Sequence, residues 1–331
     1  MMIGLGELQT LLVRILAGKG VPEPQASLLA ATIAYGERDG TKSHGLNRLQ
    51  GYLDSIACGW VKAAPSPVIQ DVAPGLLKVD ADNGFAQVAL ALARDAIASK
   101  ARSLGLASLA IANSHHFAAL WPDVEPFARD GLIALTMVNS RSRIIVWNGK
   151  RKALGTNPIA FACPRQGKPP IVWDQASSIM SQGDVLLHAA AGRPLPPGMA
   201  VDREGRPTTD PNIVLDSGSL LPVGGVKGSS LAFMVEVLAA AFTGGRFGFE
   251  DESGRFPGAQ TSNAGQFLLL IDPTRMTGST FYPRIESLVA ELYAAGAKRL
   301  PADRRYSQRA RSERDGIEIS GGFEALLRTG T

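Results

Sequence analysis

The chain is poor in cysteine, aromatic residues and charge, and each shortage removes a class of protein. With only two cysteines in 331 residues, Cys58 and Cys163, set in unrelated contexts, neither a disulfide framework nor a CxxC-type zinc site is expected. Both read as reduced, partly buried fillers, and no metal site is predicted. No apolar run of about 18 uncharged residues occurs, which argues against a membrane span. The opening Met-Met-Ile-Gly-Leu-Gly-Glu has no basic segment followed by an apolar stretch, so a soluble, cytoplasmic protein is expected. No GxGxxG and no Walker loop is present, which leaves no ordinary Rossmann or P-loop signature. Internal repeats and low-complexity segments are also missing.

Charged residues make up 19% and aromatics 6%, with a net charge of +4. The excess is concentrated at Lys298, Arg299, Arg304, Arg305, Arg309, Arg311 and Arg314. Such a run is by default a solvated face. A nucleic-acid binder working through residues 298–314 would need stacking aromatics, and only Tyr306 stands beside these arginines, so no nucleic-acid partner is expected.

What the chain does have is apolar residues, 45% of the total, enough for a large core in two or three lobes. Leu5, Leu8, Leu11, Leu12 and Ile15 recur at helical spacing, and Pro22 and Pro24 open a second helical stretch toward Tyr35. Leu76–Val79 is a short apolar run followed by an Asp82-Asn83-Gly84 turn and a helix carrying Phe85, Val88 and Leu92. Leu106–Ala112, a helix-like piece over 117–129 and Leu132–Val138 continue an alternation of the βαβ kind. Further strands are expected at Pro158–Ala162, Pro170–Trp173 and Phe267–Ile271, with a hairpin-like loop over 164–170 and an exposed loop over 205–211. Residues 228–242, apolar apart from Glu236, predict a helix buried on most sides, and 284–296 an amphipathic one. The fold class is α/β or α+β.

Polar chemistry gathers at a few places. In Thr41–Tyr52 a hydroxyl, an imidazole, a guanidinium and a phenol crowd together. If the segment is helical, His44, Arg48 and Tyr52 at i, i+4 and i+8 share a face. His115 and His116 follow the run 106–112 at the carboxyl end of a strand, where open α/β sheets bind ligands. Adjacent histidines point to opposite sides of a strand, so one faces a site at most and joint chelation of a metal is not expected. Gly224-Gly225-Val226-Lys227-Gly228 before a helix could let backbone and a cation approach an anion, although glycines that merely permit close packing make the same pattern. Asp174 and Asp184 flank residues 175–183 beyond a strand. A carboxylate that orients an imidazole is a recurrent catalytic device, so Ser43, His44 and one of these aspartates could form a relay, or be a helix cap and a surface acid.

The motifs Ser43-His44-Gly45 with Arg48 and Tyr52, Asn113–Phe117, Gly155-Thr156-Asn157-Pro158, Pro207–Pro211 and Leu221–Gly228 together resemble the malate/L-lactate dehydrogenase family across nearly the whole chain. That family has a non-Rossmann NAD(P)-binding fold. The resemblance implies a mixed sheet core, residues 73–280, and a helical N-terminal segment, 1–72, packed with a C-terminal segment, 281–331. Within the family, His116–Trp121 and Asp174–Ser177 look most like the Δ1-piperideine-2-carboxylate/Δ1-pyrroline-2-carboxylate reductases. On that resemblance Ser43, His44 and Asp184 form a proton relay, and Arg48, Thr156, Tyr52 and His116 meet the substrate. His116, Phe117, Ala118, Ala119, Leu120, Asp174, Gln175, Ala176 and the segment with Arg304 and Arg305 line NADPH, with Gly225 and Lys227 as a further anion contact. NADH remains possible as cofactor, and a homodimer is implied.

The implied chemistry is hydride transfer to a cyclic imine carboxylate, with His44, poised near a neutral pKa, supplying the proton. Two other readings compete with it. An NAD(P)-dependent 2-hydroxy acid dehydrogenase acting on malate, lactate or ureidoglycolate keeps the class, with His116 as the acid. A hydrolase using Ser43 lacks a GxSxG elbow. Ser140–Ile145, where the family varies with substrate, matches no pattern.

Overall fold

The computed structural model describes residues 1–147 and 149–329. Its centre is a seven-stranded sheet in the order Val68–Ala73, Leu76–Phe85, Leu106–His115, Asn263–Ile271, Ile133–Val138, Ile159–Cys163, Ile171–Gln175. Only Leu76–Phe85 and Leu106–His115 run parallel, joined by the helix Ala86–Leu104, while every other neighbour is antiparallel. The βαβ alternation expected from the sequence therefore holds for one unit and fails beyond it. Asn263–Ile271, from far along the chain, inserts between the two strands that sequence order would have paired. Apolar periodicity reports that a strand is buried, not which neighbour it takes.

The crossover helix stops at Gly105, whose φ of +92° gives the left-handed cap that lets the chain turn straight into the next strand. Asp82-Asn83-Gly84 is not the turn that its composition suggests. The strand runs through it with a register shift between Asp80 and Gly84, and Asp82 and Asn83 adopt φ of +52° and +57°. That bulge brings Asn83 Oδ1 within 2.9 Å of His115 Nε2, while Asn263 Nδ2 donates to the same oxygen at 2.8 Å.

Four apolar clusters of the described residues pack on or beside the sheet. The helices Ala86–Leu104 and Trp121–Arg129 cover one face through Ile97, Leu120, Trp121 and Phe127. The N-terminal helices Leu5–Ala17 and Glu23–Arg38 pack with Ile317, Ile319 and Leu327 of the C-terminal segment, and Met2–Ile3 pairs with Ile317–Glu318. A smaller cluster, Ile144, Val146, Val185, Leu195, Val214 and Leu220, gives residues 144–154 and 180–232 a core of their own.

The apolar stretch 228–242 departs from expectation. It forms an α-helix, Val226–Val235, continued by a π-helical segment, Glu236–Ala241, and Phe233, Val237 and Phe242 stand exposed on one side. Of the periodic apolar positions only Val235 is buried, beside Ala239 and against the sheet near Phe267, while Met234 and Phe242 are exposed, because an apolar outward face cannot be told from a buried one by composition. Both cysteines are free, as expected, with Cys163 buried and Cys58 partly so. Among the described residues no helix is long and apolar enough to cross a membrane, and no cluster of potential metal ligands occurs.

His115 is fully buried, hydrogen-bonded to Asn83 and set edge-on against Trp60 at 5.4 Å. Burial lowers its pKa to about 3, so it folds as the neutral imidazole. Unfolding must then take up a proton wherever the exposed ring would be charged. The sign follows: the contribution is complete above about pH 6.5 and is lost as pH falls toward 3. Stability to urea is expected to drop by roughly 1.4 kcal/mol per pH unit below about pH 6 on this account. Urea melts at pH 7 and pH 5 read it, and equal stability at the two would refute the neutral, buried assignment.

Candidate active site

A pocket of about 800 Å³ opens where the N-terminal segment, the sheet and the lobe of residues 144–154 and 180–232 meet, a size in the usual range for small-molecule sites. The first wall comes from Thr41–Arg48. This stretch is not the single helix that would align His44, Arg48 and Tyr52. Two short 3₁₀ turns, Lys42–His44 and Leu46–Arg48, precede the helix Leu49–Ala57, and Gly45 between them takes φ −100° and ψ −130°. A Cβ on Gly45 would lie 2.2 Å from Glu37 Oε1, the atom that accepts the Leu46 N–H at 2.7 Å. The buried Glu37 thus bends the chain and only a glycine fits the bend.

His44 and Arg48 both reach the pocket. Tyr52 does not, a departure from the expectation: its ring is buried against Phe117 at 4.5 Å and Phe85 at 5.0 Å, in the N-terminal core.

Ser43 Oγ lies 3.0 Å from His44 Nδ1. Burial first, then the positive fields of Arg48 and His116, lowers the His44 pKa to about 3. The near-neutral value expected from residue type alone is therefore corrected: without ligand, His44 is a neutral imidazole at physiological pH. Asp184 sits across the gap at the start of the helix Gln182–Ala190, but its Oδ2 accepts the Ser181 hydroxyl at 2.8 Å. Among the described residues it makes no hydrogen bond to Ser43 or His44. It reaches Arg48 through its field, which opposes the burial that lowers the Arg48 pKa. Arg48 Nε is buried and has no partner among the described residues, which leaves a donor open to a bound group.

Sheet and crossover supply the second wall. Strand alternation sends His115 into the core and His116 to the pocket. His116 Nε2 lies 2.9 Å from Asp123 Oδ2 and 3.2 Å from Gln87 Nε2, and Gln266 Nε2 donates to the same carboxylate oxygen at 2.7 Å. Asp123, Gln87 and Gln266 went unnoticed in the sequence; a carboxylate seven positions after a histidine was the only trace. Asp174 Oδ2 accepts the N–H groups of Leu120 at 2.7 Å and Trp121 at 3.0 Å, capping the helix Trp121–Arg129 and fixing the 116–120 loop. Ala118, Ala119, Leu120, Gln175 and Ala176 line the same pocket, as does Phe117.

Thr156 lines the third side, its hydroxyl 3.4 Å from Ser140 Oγ. Both loops hang on Glu236, the lone charge of the apolar helix. Its carboxylate accepts from Asn157 Nδ2 at 3.0 Å, Asn139 Nδ2 at 3.1 Å and Gly248 N at 3.2 Å, where α-helix gives way to π. The single acid in the apolar run stands out in the sequence, but its role in holding both loops does not.

The basic C-terminal run divides its labour. Arg309 bonds Asp39 and Glu125, tying the helix Asp303–Asp315 to two others, and Arg314 pairs with Asp315. Arg304 and Arg305 line the pocket instead; the Arg305 guanidinium stacks 4.7 Å from the Trp121 ring centroid and its Nε is buried without a partner. Cations with open donors at one end of an extended pocket fit the phosphates of a dinucleotide. Gly225 and Lys227 are exposed and absent from the pocket lining, with only Val223 of that loop reaching it. The φ of +60° and +62° at Gly224 and Gly225 shows that these glycines serve a tight turn into the helix.

The model of the malate/L-lactate dehydrogenase family matches residues 3–327. The chain is 52% identical to the Δ1-pyrroline-2-carboxylate/Δ1-piperideine-2-carboxylate reductase of Pseudomonas syringae pv. tomato, over 95% of this chain and 92% of that one. It is 41% identical to the (2R)-3-sulfolactate dehydrogenase (NADP(+)) of Chromohalobacter salexigens, over 96% and 94% respectively. Its structure superposes on the crystal structure of Δ1-piperideine-2-carboxylate reductase from P. syringae with a TM-score of 0.97 at 50% identity, covering both chains fully. A nicotinamide-linked site without any GxGxxG, on a sheet that is antiparallel but for one pair, follows from common descent: the chain belongs to the malate/L-lactate dehydrogenase family.

Proposed function

We propose that the protein is an NADPH-dependent reductase of cyclic imine carboxylates, converting Δ1-piperideine-2-carboxylate to L-pipecolate and Δ1-pyrroline-2-carboxylate to L-proline. The observation that carries this reading is the placing of a buried guanidinium with an unpartnered Nε, Arg48, beside the Ser43–His44 pair in a pocket that ends on Arg304 and Arg305. The names of the relatives support it.

When bound, the nicotinamide supplies a hydride to the imine carbon. Arg48 holds the substrate carboxylate, which fixes the C=N bond next to His44. That same carboxylate offsets the Arg48 field, which after burial is the next cause of the low His44 pKa, and so favours the protonated ring when substrate is bound. Ser43 Oγ then accepts from Nδ1–H, and Nε2–H delivers its proton to the ring nitrogen. Thr156 and His116 border the substrate, and Asp184 supports Arg48 electrostatically. Arg304 and Arg305 favour NADPH over NADH by offering guanidinium groups to an additional phosphate. The exposed apolar side of Phe233, Val237 and Phe242 supports a homodimer, and two free thiols fit a cytoplasmic setting.

Oxidation of NADPH with Δ1-piperideine-2-carboxylate, Δ1-pyrroline-2-carboxylate, pyruvate and oxaloacetate tests the reading. The imines are expected to turn over about tenfold faster or more. Faster turnover of an oxo acid would replace the imine reductase with a 2-hydroxy acid dehydrogenase.

A further inference from the structure

Elsewhere in this protein, arginines drawn out of solvent have carboxylate partners: Arg309 has Asp39 and Glu125, Arg165 has Glu286 and Arg38 has Asp39. The pocket breaks that habit. Arg48, Arg141 and Arg143 all line it, and among the described residues none of the three has a carboxylate within 4.0 Å. Among the described residues Arg143 makes no side-chain hydrogen bond. Arg141 has one contact, from Nη1 to Ser253 Oγ at 3.4 Å. Lys152, which feels the fields of both, has no ion-pair partner among the described residues either.

The nearby acids are otherwise engaged. Asp251 accepts the Ser253 hydroxyl at 2.6 Å and Asp184 accepts that of Ser181. Burial, then the fields of Arg141 and Arg48, lowers the Arg143 pKa to about 9, so it stays charged at neutral pH while being repelled by its neighbours. The backbone holding these two side chains is fixed: Arg141 N donates to Ser262 Oγ at 3.2 Å, Ser142 N to Gly248 O at 3.0 Å and Arg143 N to Leu154 O at 2.7 Å. A rigid, like-charged pair of forks facing one pocket is costly unless an anion arrives.

A single carboxylate offers one bidentate edge, and Arg48 takes it. We propose that Arg141 and Arg143 form a second anion subsite, and that the preferred substrate is a cyclic imine with two carboxylates, one beside the imine carbon on Arg48 and one on these two arginines. This rests on the reductase reading for its chemistry. The step is unchanged: hydride adds to the imine carbon, a proton to the nitrogen, and NADPH becomes NADP⁺. The cofactor phosphates do not need these residues, because Arg304 and Arg305 provide for them from the helix Asp303–Asp315.

The test compares kcat/KM for Δ1-piperideine-2-carboxylate and Δ1-piperideine-2,6-dicarboxylate in the native protein and in Arg143→Met. A charge-assisted pair of this kind predicts a preference for the diacid of about 30-fold, falling to within about threefold of parity in the variant. A native preference for the monoacid overturns the subsite. So does an equal loss on both substrates, which would put Arg143 on the Arg48-bound carboxylate, or a raised KM for NADPH with the ratio intact. Calorimetry with the planar analogues pyridine-2-carboxylate and pyridine-2,6-dicarboxylate in metal-free buffer reads the subsite without turnover. Tighter binding of the diacid, lost in Arg143→Met, upholds the subsite even if neither imine oxidises NADPH, in which case the reductase reading alone falls. Equal binding of the two analogues overturns the subsite whatever the kinetics show.

Discussion

Arg48→Ala is expected to lower kcat/KM for the imine carboxylate by about 10³-fold, mostly through KM, while the dissociation constant for NADPH moves by less than about threefold. The size follows from the burial of the group. Arg48 is withdrawn from solvent with an unpartnered Nε, so its two donors to a carboxylate work where water does not compete. Hydrogen bonds to charged groups contribute roughly 1.5–3 kcal/mol each, and losing a bidentate pair removes about 4 kcal/mol, or three decades. The selectivity follows from position, since the cations assigned to the cofactor, Arg304 and Arg305, belong to a different helix and are anchored by Arg309. Fluorescence titration of NADPH beside steady-state kinetics separates the two effects. A loss of cofactor affinity as large as the loss of substrate affinity would mean that the carboxylate binds elsewhere.

Why Arg48 could be picked out from sequence, while Asp123 and Glu236 could not, has a physical explanation. His44 and Arg48 stand four positions apart, and that separation brings side chains together in an α-helix or, as here, in two 3₁₀ turns that rejoin one. Local spacing survived an error about local conformation. That one of the adjacent histidines leaves the core was legible from period-two alternation at the end of the strand Leu106–His115, but that it is His116 came only from the family motif. Residues that act across the fold have no such trace. Asp123 meets His116 only because the loop 116–120 is folded back by Asp174, 54 positions away from the amide it holds. Glu236 gathers loops that begin at Asn139 and Asn157, again long-range contacts.

Strand identity followed the same rule. The runs 106–112, 132–138, 158–162 and 267–271 are all strands, but the order that inserts Asn263–Ile271 between Leu106–His115 and Ile133–Val138 comes from packing alone. Asp82-Asn83-Gly84 shows the converse error. Turn chemistry reports that the backbone goes left-handed, and a bulge satisfies that as well as a turn does.

Gly183→Ala offers a sharper test, because two principles predict opposite signs for different observables. Gly183 lies in the first turn of the helix Gln182–Ala190, and alanine in a helix is favoured over glycine by roughly 0.5–1 kcal/mol, so thermal stability is expected to hold or rise. A Cβ there would, however, stand 2.8 Å from Arg48 Nη2 and 3.1 Å from Ser43 Cβ. The guanidinium tip is the freest atom in the contact and gives way first, while the Ser43 carbonyl oxygen, 3.2 Å from that Cβ, has to give by only a few tenths of an ångström. That tip is the carboxylate fork, and Ser43 holds the Nδ1 of His44. A shift of a few tenths of an ångström to an ångström in groups that position a reacting bond costs about 10²-fold in rate. The variant is therefore expected to melt no lower than the native protein and to retain about 1% of its kcat/KM. Native activity would show that the fork has room to spare and that residues 43 and 48 do not jointly set the geometry, whereas a fall in melting temperature matching the fall in activity would make Gly183 a packing residue and nothing more.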